Sequence, residues 1–194
     1  MLEYKYGPDM ERKRSILGID PNGQNQYTIV RDKFYLDNFE ITEDKTTPIT
    51  KIAEVNYINS PTGLIAMFVK ENGNAGELHY VYSDHLGSIL KLTDGQGNVT
   101  AEQNFDAWGK RRKIADWSAV SYAEWLSSLP ISGGSGTGLP FWLCRGYTGH
   151  EHLDEFQLIN MNGRMYDPVI GSMLSPDPFI QDPTNSQNFN RYSY

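Results

Sequence analysis

One cysteine, Cys144, stands in the 194 residues. A single thiol closes no intramolecular disulfide and builds no cysteine-based zinc site, so neither staple is available to this fold. Its setting, the apolar run Leu139-Pro-Phe-Trp-Leu-Cys144, points to a buried, inert thiol. Long apolar runs are also missing, and none approaches the length that spans a bilayer. The opening residues, Met1-Leu-Glu-Tyr-Lys-Tyr6, lack the charged-then-apolar order of a secretory leader, so any export signal is expected outside this chain. Positive charge is scarce. The net charge is −7, and basic residues cluster only at Glu11-Arg-Lys-Arg14 and Lys110-Arg-Arg-Lys113. Those clusters read as solvated charges on strand ends or turns. A phosphate-neutralising surface needs more, which disfavours nucleic-acid binding.

What the chain does have is aromatic residues and turn formers. With 12 Tyr, 8 Phe and 4 Trp beside 18 Gly and 10 Pro, it reads as turn-rich β structure rather than a helical bundle. Asp20-Pro-Asn-Gly23 and Ser60-Pro-Thr-Gly63 are turn signals. Between such signals lie β-rich runs at Tyr27–Val30, Lys33–Leu36 and Phe39–Thr42. Lys51–Ile58 alternates apolar with polar like a half-buried strand, and Leu64–Val69 is more fully apolar. The clearest hairpin unit spans 77–113. Strands Leu78–Tyr82, Ser88–Thr93 and Val99–Phe105 alternate with the turns Asp84-His-Leu-Gly87, Asp94-Gly-Gln-Gly-Asn98 and Asp106-Ala-Trp-Gly109. Residues 114–145 break the pattern. Ser121-Tyr-Ala-Glu124 matches a capping box and Pro130 a stop, which predicts a short helix near 119–129, followed by a Gly-rich loop at 131–138. That loop lacks the Lys and Ser/Thr ending of a phosphate loop. The final run, Asn188-Phe-Asn-Arg-Tyr-Ser-Tyr194, is strand-like to its last residue, as expected of a fragment or of a chain that depends on flanking structure.

Three residue sets invite a chemical reading. Asp167-Pro168, Asp177-Pro178 and Asp182-Pro183 cluster near the end. Proline after Asp is a common turn device, yet two carboxylates brought together share a proton and can act as an acid–base pair on a peptide bond. His150 and His152 share a strand face at i and i+2, which permits a two-His ligand pair. Their spacing does not match His-Glu-x-x-His and no third ligand is marked, so a structural role is the preferred reading. Neither Ser175 nor Cys144 sits in a nucleophile signature. The aromatics could form a sugar-stacking surface on strands, or fill the space between stacked hairpins. No cofactor is implied.

Two stretches carry a resemblance. Gly146-Tyr-Thr-Gly-His150, then Leu158-Ile-Asn-Met-Asn-Gly-Arg-Met-Tyr-Asp-Pro168, Gly171 and Leu174-Ser-Pro-Asp-Pro178 resemble the core-associated domain that ends the Rhs/YD-repeat proteins of bacteria. The hairpin unit resembles the YD repeat itself, through Tyr82, Asp84 and Gly87 and then Phe105-Asp106 with Gly109, the two Asp lying 22 residues apart. The motif positions are thus Tyr82, Asp84, Gly87, Asp106, Gly109, Tyr166, Asp167, Pro168, Gly171 and Pro178. The resemblance implies a mainly β fold of successive antiparallel hairpins, a fragment of a shell or spiral. Residues 1–77 would be upstream YD-like hairpins and 78–194 the core-associated domain, interrupted at 114–145, the two together one β-rich unit. Single hairpins cannot bury their own apolar face, so such repeats depend on neighbours.

Family members are large secreted or surface proteins, often described as wall-associated. Their β-shell encloses a variable C-terminal toxin and releases it after self-cleavage by two Asp. The resemblance implies a structural end-module that closes such a shell, secreted or at the bacterial surface, whose partners are adjacent YD repeats of the same or a longer protein, with self-association through strand edges. It places Asp177 in one catalytic position. The second Asp and the cut bond belong roughly twenty residues further on, beyond Tyr194, so Asp177 is expected to be an incomplete half-site and the chain alone not to cleave. Where the family carries Arg and an aromatic after Gly171, this chain has Ser172-Met173, which removes a charge partner for nearby carboxylates. A carbohydrate-binding surface module is the other alternative.

Overall fold

A computed structural model describes residues 1–20, 22–121, 123–125, 138–180 and 184–193. The chain forms two compact units that take turns along the sequence. The first comprises Met1–Tyr82, Lys91–Glu102 and Ala123–Trp142; the second comprises Ser83–Leu90, Gln103–Tyr122 and Leu143–Tyr194.

Nine strands follow one another in sequence and in space: β1 (Leu2–Tyr6), β2 (Arg12–Ile19), β3 (Thr28–Leu36), β4 (Phe39–Asp44), β5 (Lys51–Ser60), β6 (Gly63–Glu71), β7 (Glu77–Ser83), β8 (Ile89–Thr93) and β9 (Val99–Glu102). Each pairs with its predecessor, as short turns between alternating segments require. The register aligns two sets of side chains across the first unit. One face carries Ser15, Lys33, Thr42 and Ala53 in one row and Tyr35, Glu40, Val55 and Val69 in the next. All eight are buried. The opposite face carries Phe34 and Ile41, then Leu36, Phe39 and Phe68, then Ile58, Ala66 and Tyr80. Leu36, Ile58 and Tyr80 on that face remain exposed.

The buried face holds an ion pair as well as a hydrophobic core. Lys33 Nζ lies 2.8 Å from Glu40 Oε2, each side chain 2% exposed. Tyr57 donates its hydroxyl hydrogen to the same carboxylate oxygen at 2.8 Å. Ser15 and Tyr35 hydroxyls meet at 2.8 Å beside them. Two ions removed from water survive only when paired and hydrogen-bonded, and this network meets that requirement. Trp142 belongs to the same unit. Its ring lies 5.2 Å from that of His79, and its Nε1–H donates to Glu71.

The second unit is built from much shorter strands: β10 (Asn104–Phe105) with β11 (Arg111–Arg112), and β12 (Glu151–Leu153), β13 (Leu158–Asn160), β14 (Met165–Asp167) and β15 (Ser172–Met173) in a four-stranded antiparallel sheet. Tyr147, Ile159, Tyr166 and Met173 form its buried cluster, with Phe105 and Met161 packed on it.

The mainly β class and the hairpin organisation are as expected. Several boundaries differ. The segments 27–30 and 33–36 are one continuous strand, β3, because Arg31 and Asp32 stay in the ladder with β2 and β4. Strand β2 carries no turn-bounded alternation and escaped the sequence reading. The helix expected near 119–129 starts too early, because Ala119 is extended and bridges to Arg112. Residues 123–125 are helical. Tyr122 and residues 126–129 of that helix, and 131–137 of the Gly-rich loop, lie outside the described residues. Cys144 is half-buried rather than buried.

Candidate functional site

One turn recurs at Asp84, Asp94 and Asp106. In each, the Asp N–H donates to the carbonyl four residues on, and the Gly N–H three residues on returns a bond to the Asp carbonyl. Each Asp Oδ1 also accepts the N–H groups two and four residues ahead: Leu86 and Ser88, Gln96 and Asn98, Trp108 and Lys110. Gly87, Gly97 and Gly109 have φ of 83°, 85° and 87°, the left-handed region that other residues adopt at a cost. Asp fits because a short carboxylate can take both N–H groups that the tight loop leaves without a strand partner. The expected repeat at Asp84 and Asp106 therefore holds two of the three members, and Asp94 is the missing one.

The Gly146–His150 motif ties the second unit together. Gly146 lies against the Phe105 and His152 rings: a Cβ there would sit 2.6 Å from Phe105 Cζ and 3.0 Å from His152. Its carbonyl accepts the Ile89 N–H at 3.0 Å. Tyr147 is buried and its hydroxyl donates to Ala107 O at 2.8 Å. The Thr148 N–H donates to Ser88 Oγ at 3.1 Å. Gly109, at the end of its Asp turn, touches the Tyr147 ring, where a Cβ would stand 2.6 Å from Cδ1. Gln103, which the sequence reading did not single out, donates from Nε2 to the carbonyls of Ile89 and Arg145 and accepts from Arg111.

The two histidines are engaged inside this arrangement. His152 Nε2 accepts the Tyr147 N–H at 3.0 Å, which occupies the lone pair that a metal ion would need, and its ring packs 5.1 Å from that of Phe105. Burial first, then the nearby Arg111 guanidinium, pushes its pKa down to about 3. His150 Nδ1 meets Thr148 Oγ1 at 2.8 Å, and burial also lowers its pKa. Among the described residues no group of three or more His, Cys, Asp or Glu could hold a metal ion. The basic run 110–113 is not a set of solvated charges throughout: Arg111 pairs with Asp154 and Arg112 with Asp106, both at 2.9 Å.

Tyr166 is fully buried and pairs with Ile159 and Met173, while Pro168 is buried in the turn that follows. Asp167 Oδ1 accepts the Val169 N–H, and Gly171, at φ 65°, lies under the Trp108 ring. Tyr82 is exposed on β7, and Pro178 is exposed.

Asp177 has arginine company. Its Oδ2 lies 3.3 Å from Arg164 Nη2 and its Oδ1 accepts the Phe179 N–H at 2.9 Å. Arg191 Nε–H donates to its carbonyl at 2.6 Å. The charge partner thought lost with Ser172-Met173 is thus supplied by Arg164, a residue inside the quoted 158–168 motif that had been given no role. Asp182 lies outside the described residues.

No family model matches the chain. Over 147 residues, 76% of its length, it is 26% identical to salivary gland surface protein 1 of Aedes aegypti. Over 151 residues, 78% of its length, it is 24% identical to the tRNA3(Ser)-specific nuclease WapA of Bacillus spizizenii. It spans only 4% and 5% of those two relatives. Among solved structures, TcdB2-TccC3 matches with a TM-score of 0.68 at 21% identity, over 99% of this chain and 8% of that one. The TcdB2-TccC3-Cdc42 structure matches with a TM-score of 0.67, also at 21% identity, over the same shares. The likeness is one of fold, a β architecture shared along nearly the whole chain. No helix among the described residues is long and apolar enough to cross a membrane.

Proposed function

We propose that this chain is a structural segment of a bacterial Rhs/YD-repeat protein of the polymorphic-toxin or cell-surface type, secreted or displayed at the surface. Residues 1–77 act as upstream hairpins and 78–194 as the core-associated domain. The segment closes a β-shell that encapsulates and presents a variable C-terminal part. The observation that carries this reading is the meander of β1–β9, each strand paired with its predecessor, with one face of the first unit buried and the other still showing Leu36, Ile58 and Tyr80 to solvent. A sheet built by simple succession is extendable, and an apolar face left open calls for neighbouring chain. The much greater length of its relatives supports the same reading. The test is protease protection in the longer protein that carries this segment. Ile58→Asp with Tyr80→Asp is expected to expose the C-terminal part to digestion. Undiminished protection in a folded variant would overturn the proposal.

Two adjacent ring faces favour a second reading. Tyr80 and Tyr82 stand two residues apart on one side of β7, both exposed, as a carbohydrate-stacking platform would require. Glycan binding that disappears in Tyr80→Ala/Tyr82→Ala would support it, and silence across a glycan array would remove it. The half-site reading of Asp177 has its own test: Asp177→Asn in the longer protein abolishes self-cleavage if Asp177 is one of the pair, and leaves it intact if the residue only holds structure.

A further inference from the structure

The segment 184–193 is fastened to the end of the four-stranded sheet by a few atoms that converge on two carbonyls. Tyr192 O accepts the Met173 N–H at 2.9 Å and the Ser172 hydroxyl at 3.1 Å. Arg191 O accepts the Asp177 N–H at 2.7 Å and Arg164 Nη1–H at 3.2 Å. The Arg191 side chain returns a bond to the Asp177 carbonyl. Each carbonyl therefore takes one backbone donor and one side-chain donor, and the spacing, 173 to 192 and 177 to 191, is not that of a ladder. A regular strand would hold itself by repetition. This attachment cannot, and depends on its side chains.

Arg164 touches both sides of the 177–191 contact. One guanidinium nitrogen faces the Asp177 carboxylate and another faces the Arg191 carbonyl. The guanidinium fork suits this use, because its donors point in fixed directions and bridge two acceptors at once. Arg164 is itself anchored: it precedes β14, and the Leu174 N–H donates to Met165 O at 2.8 Å, which places the 174–177 stretch beside it. Asp177 in turn is oriented from its other oxygen by the Phe179 N–H.

We propose that Arg164 and Asp177 form a charge-locked clasp that holds residues 190–193 on the edge of the β15 region, and that opening the clasp frees this strap while the rest of the second unit stays folded. The clasp is a property of this chain's own contacts and stands or falls independently of the shell reading. It assigns Asp177 a positioning role toward the strap. Because the pair is only partly buried, its hold weakens with ionic strength.

Amide hydrogen exchange on the whole chain tests it residue by residue. In Arg164→Gln and in Asp177→Asn, the Met173 and Asp177 amides, which donate to the strap carbonyls, are expected to exchange about five- to tenfold faster. The amides of Tyr147 and His152, which donate inside the Gly146 hub, keep their wild-type rates. The double variant exchanges no faster than either single one, because the two side chains act as one unit. Arg164→Lys, which keeps charge without the fork, lies between wild type and Arg164→Gln. Added salt accelerates Met173 and Asp177 in the wild type and has little effect in Arg164→Gln. Unchanged exchange at Met173 and Asp177, additive effects in the double variant, or equal acceleration across the hub amides would each overturn the proposal.

Discussion

The two units solve one problem, holding short antiparallel strands together, in opposite ways. The first does it by breadth. Its strands run to ten residues in β5, and long rows of side chains cross from β2 to β6. Ladder bonds and lateral contacts are plentiful there, enough to carry a fully buried Lys33–Glu40 pair in the core. The second unit has strands of two or three residues, too short to be held by ladders alone. It is stitched by side chains reaching backbone: Tyr147 to Ala107, Gln103 to Ile89 and Arg145, Ser88 to Thr148. Breadth tolerates local defects but not an orphaned charge. Stitching tolerates surface charge changes but not added volume where backbones approach.

The sharpest way to break the first arrangement is to strand one ion. Lys33→Met removes the cation from beside the buried Glu40 carboxylate, and should cost about 3–5 kcal/mol. The double variant Lys33→Met/Glu40→Leu should return to within about 1 kcal/mol of the wild type, or exceed it, since well-packed hydrophobes replace buried pairs without loss. Urea unfolding of the single and double variants measures both. A double variant as unstable as the single would mean that the pair is doing more than filling space.

The next effect separates the units on a single turn geometry. Gly97 and Gly109 share the same conformation and the same Asp turn, yet nothing lies within 4 Å of a Cβ at Gly97, whereas at Gly109 it would meet Tyr147 at 2.6 Å and Ile159 at 3.0 Å. Gly97→Ala should cost about 1 kcal/mol for the left-handed backbone alone. Gly109→Ala adds overpacking and should cost about 2–4 kcal/mol. Equal losses at the two sites would erase the distinction drawn between breadth and stitching.

What the sequence made legible follows the same division. The hairpins of 51–102 were readable to within about two residues, because alternation and Asp-to-Gly turns are local signals and β5 to β9 obey them, whereas the single strand expected over Val99–Phe105 divides at Gln103 into β9 and β10, which lie in different sheets. Strand β2 was not readable, since Arg12-Lys-Arg-Ser-Ile-Leu-Gly-Ile19 crowds its charges into the first half and its apolar residues into the second. The burial of Lys33 and Glu40 was not legible for a physical reason: period two tells which residues share a face, not which face will be covered. In the second unit the motif glycines were visible as residues, but their reason, rings of Phe105, His152 and Tyr147 pressed onto the backbone, depends on partners up to 41 positions away, 146 minus 105. The same holds for Asp177, whose partners Arg164 and Arg191 stand 13 and 14 positions to either side.

Acid should probe the stitched unit through His152. Its folded-state pKa of about 3 lies well below the ordinary 6.5, so it stays neutral in the folded chain while the unfolded chain takes up a proton. Its contribution to stability is full above pH 6.5 and is lost as the pH falls from there toward 3, by about 1.4 kcal/mol per pH unit at most. Unfolding free energies of the wild type and His152→Gln, compared across that window, should converge as the pH drops. A constant difference would mean that the imidazole does not carry the dependence.

The smallest contrast lies in the turn aspartates. Asp94 holds its own loop and the Asn98 amide, and those hydrogen bonds keep its carboxyl below the ordinary range. Asp106 holds the same loop and also pairs with Arg112 at 2.9 Å. Thermal melts of the alanine variants should therefore show a larger drop for Asp106 than for Asp94. Asparagine, which keeps an oxygen for the loop N–H groups but carries no charge, should restore most of the loss at 94 and only part of it at 106. If asparagine restored both alike, the Arg112 pair would contribute nothing, and the turn would be a self-sufficient cassette used without adjustment in either unit.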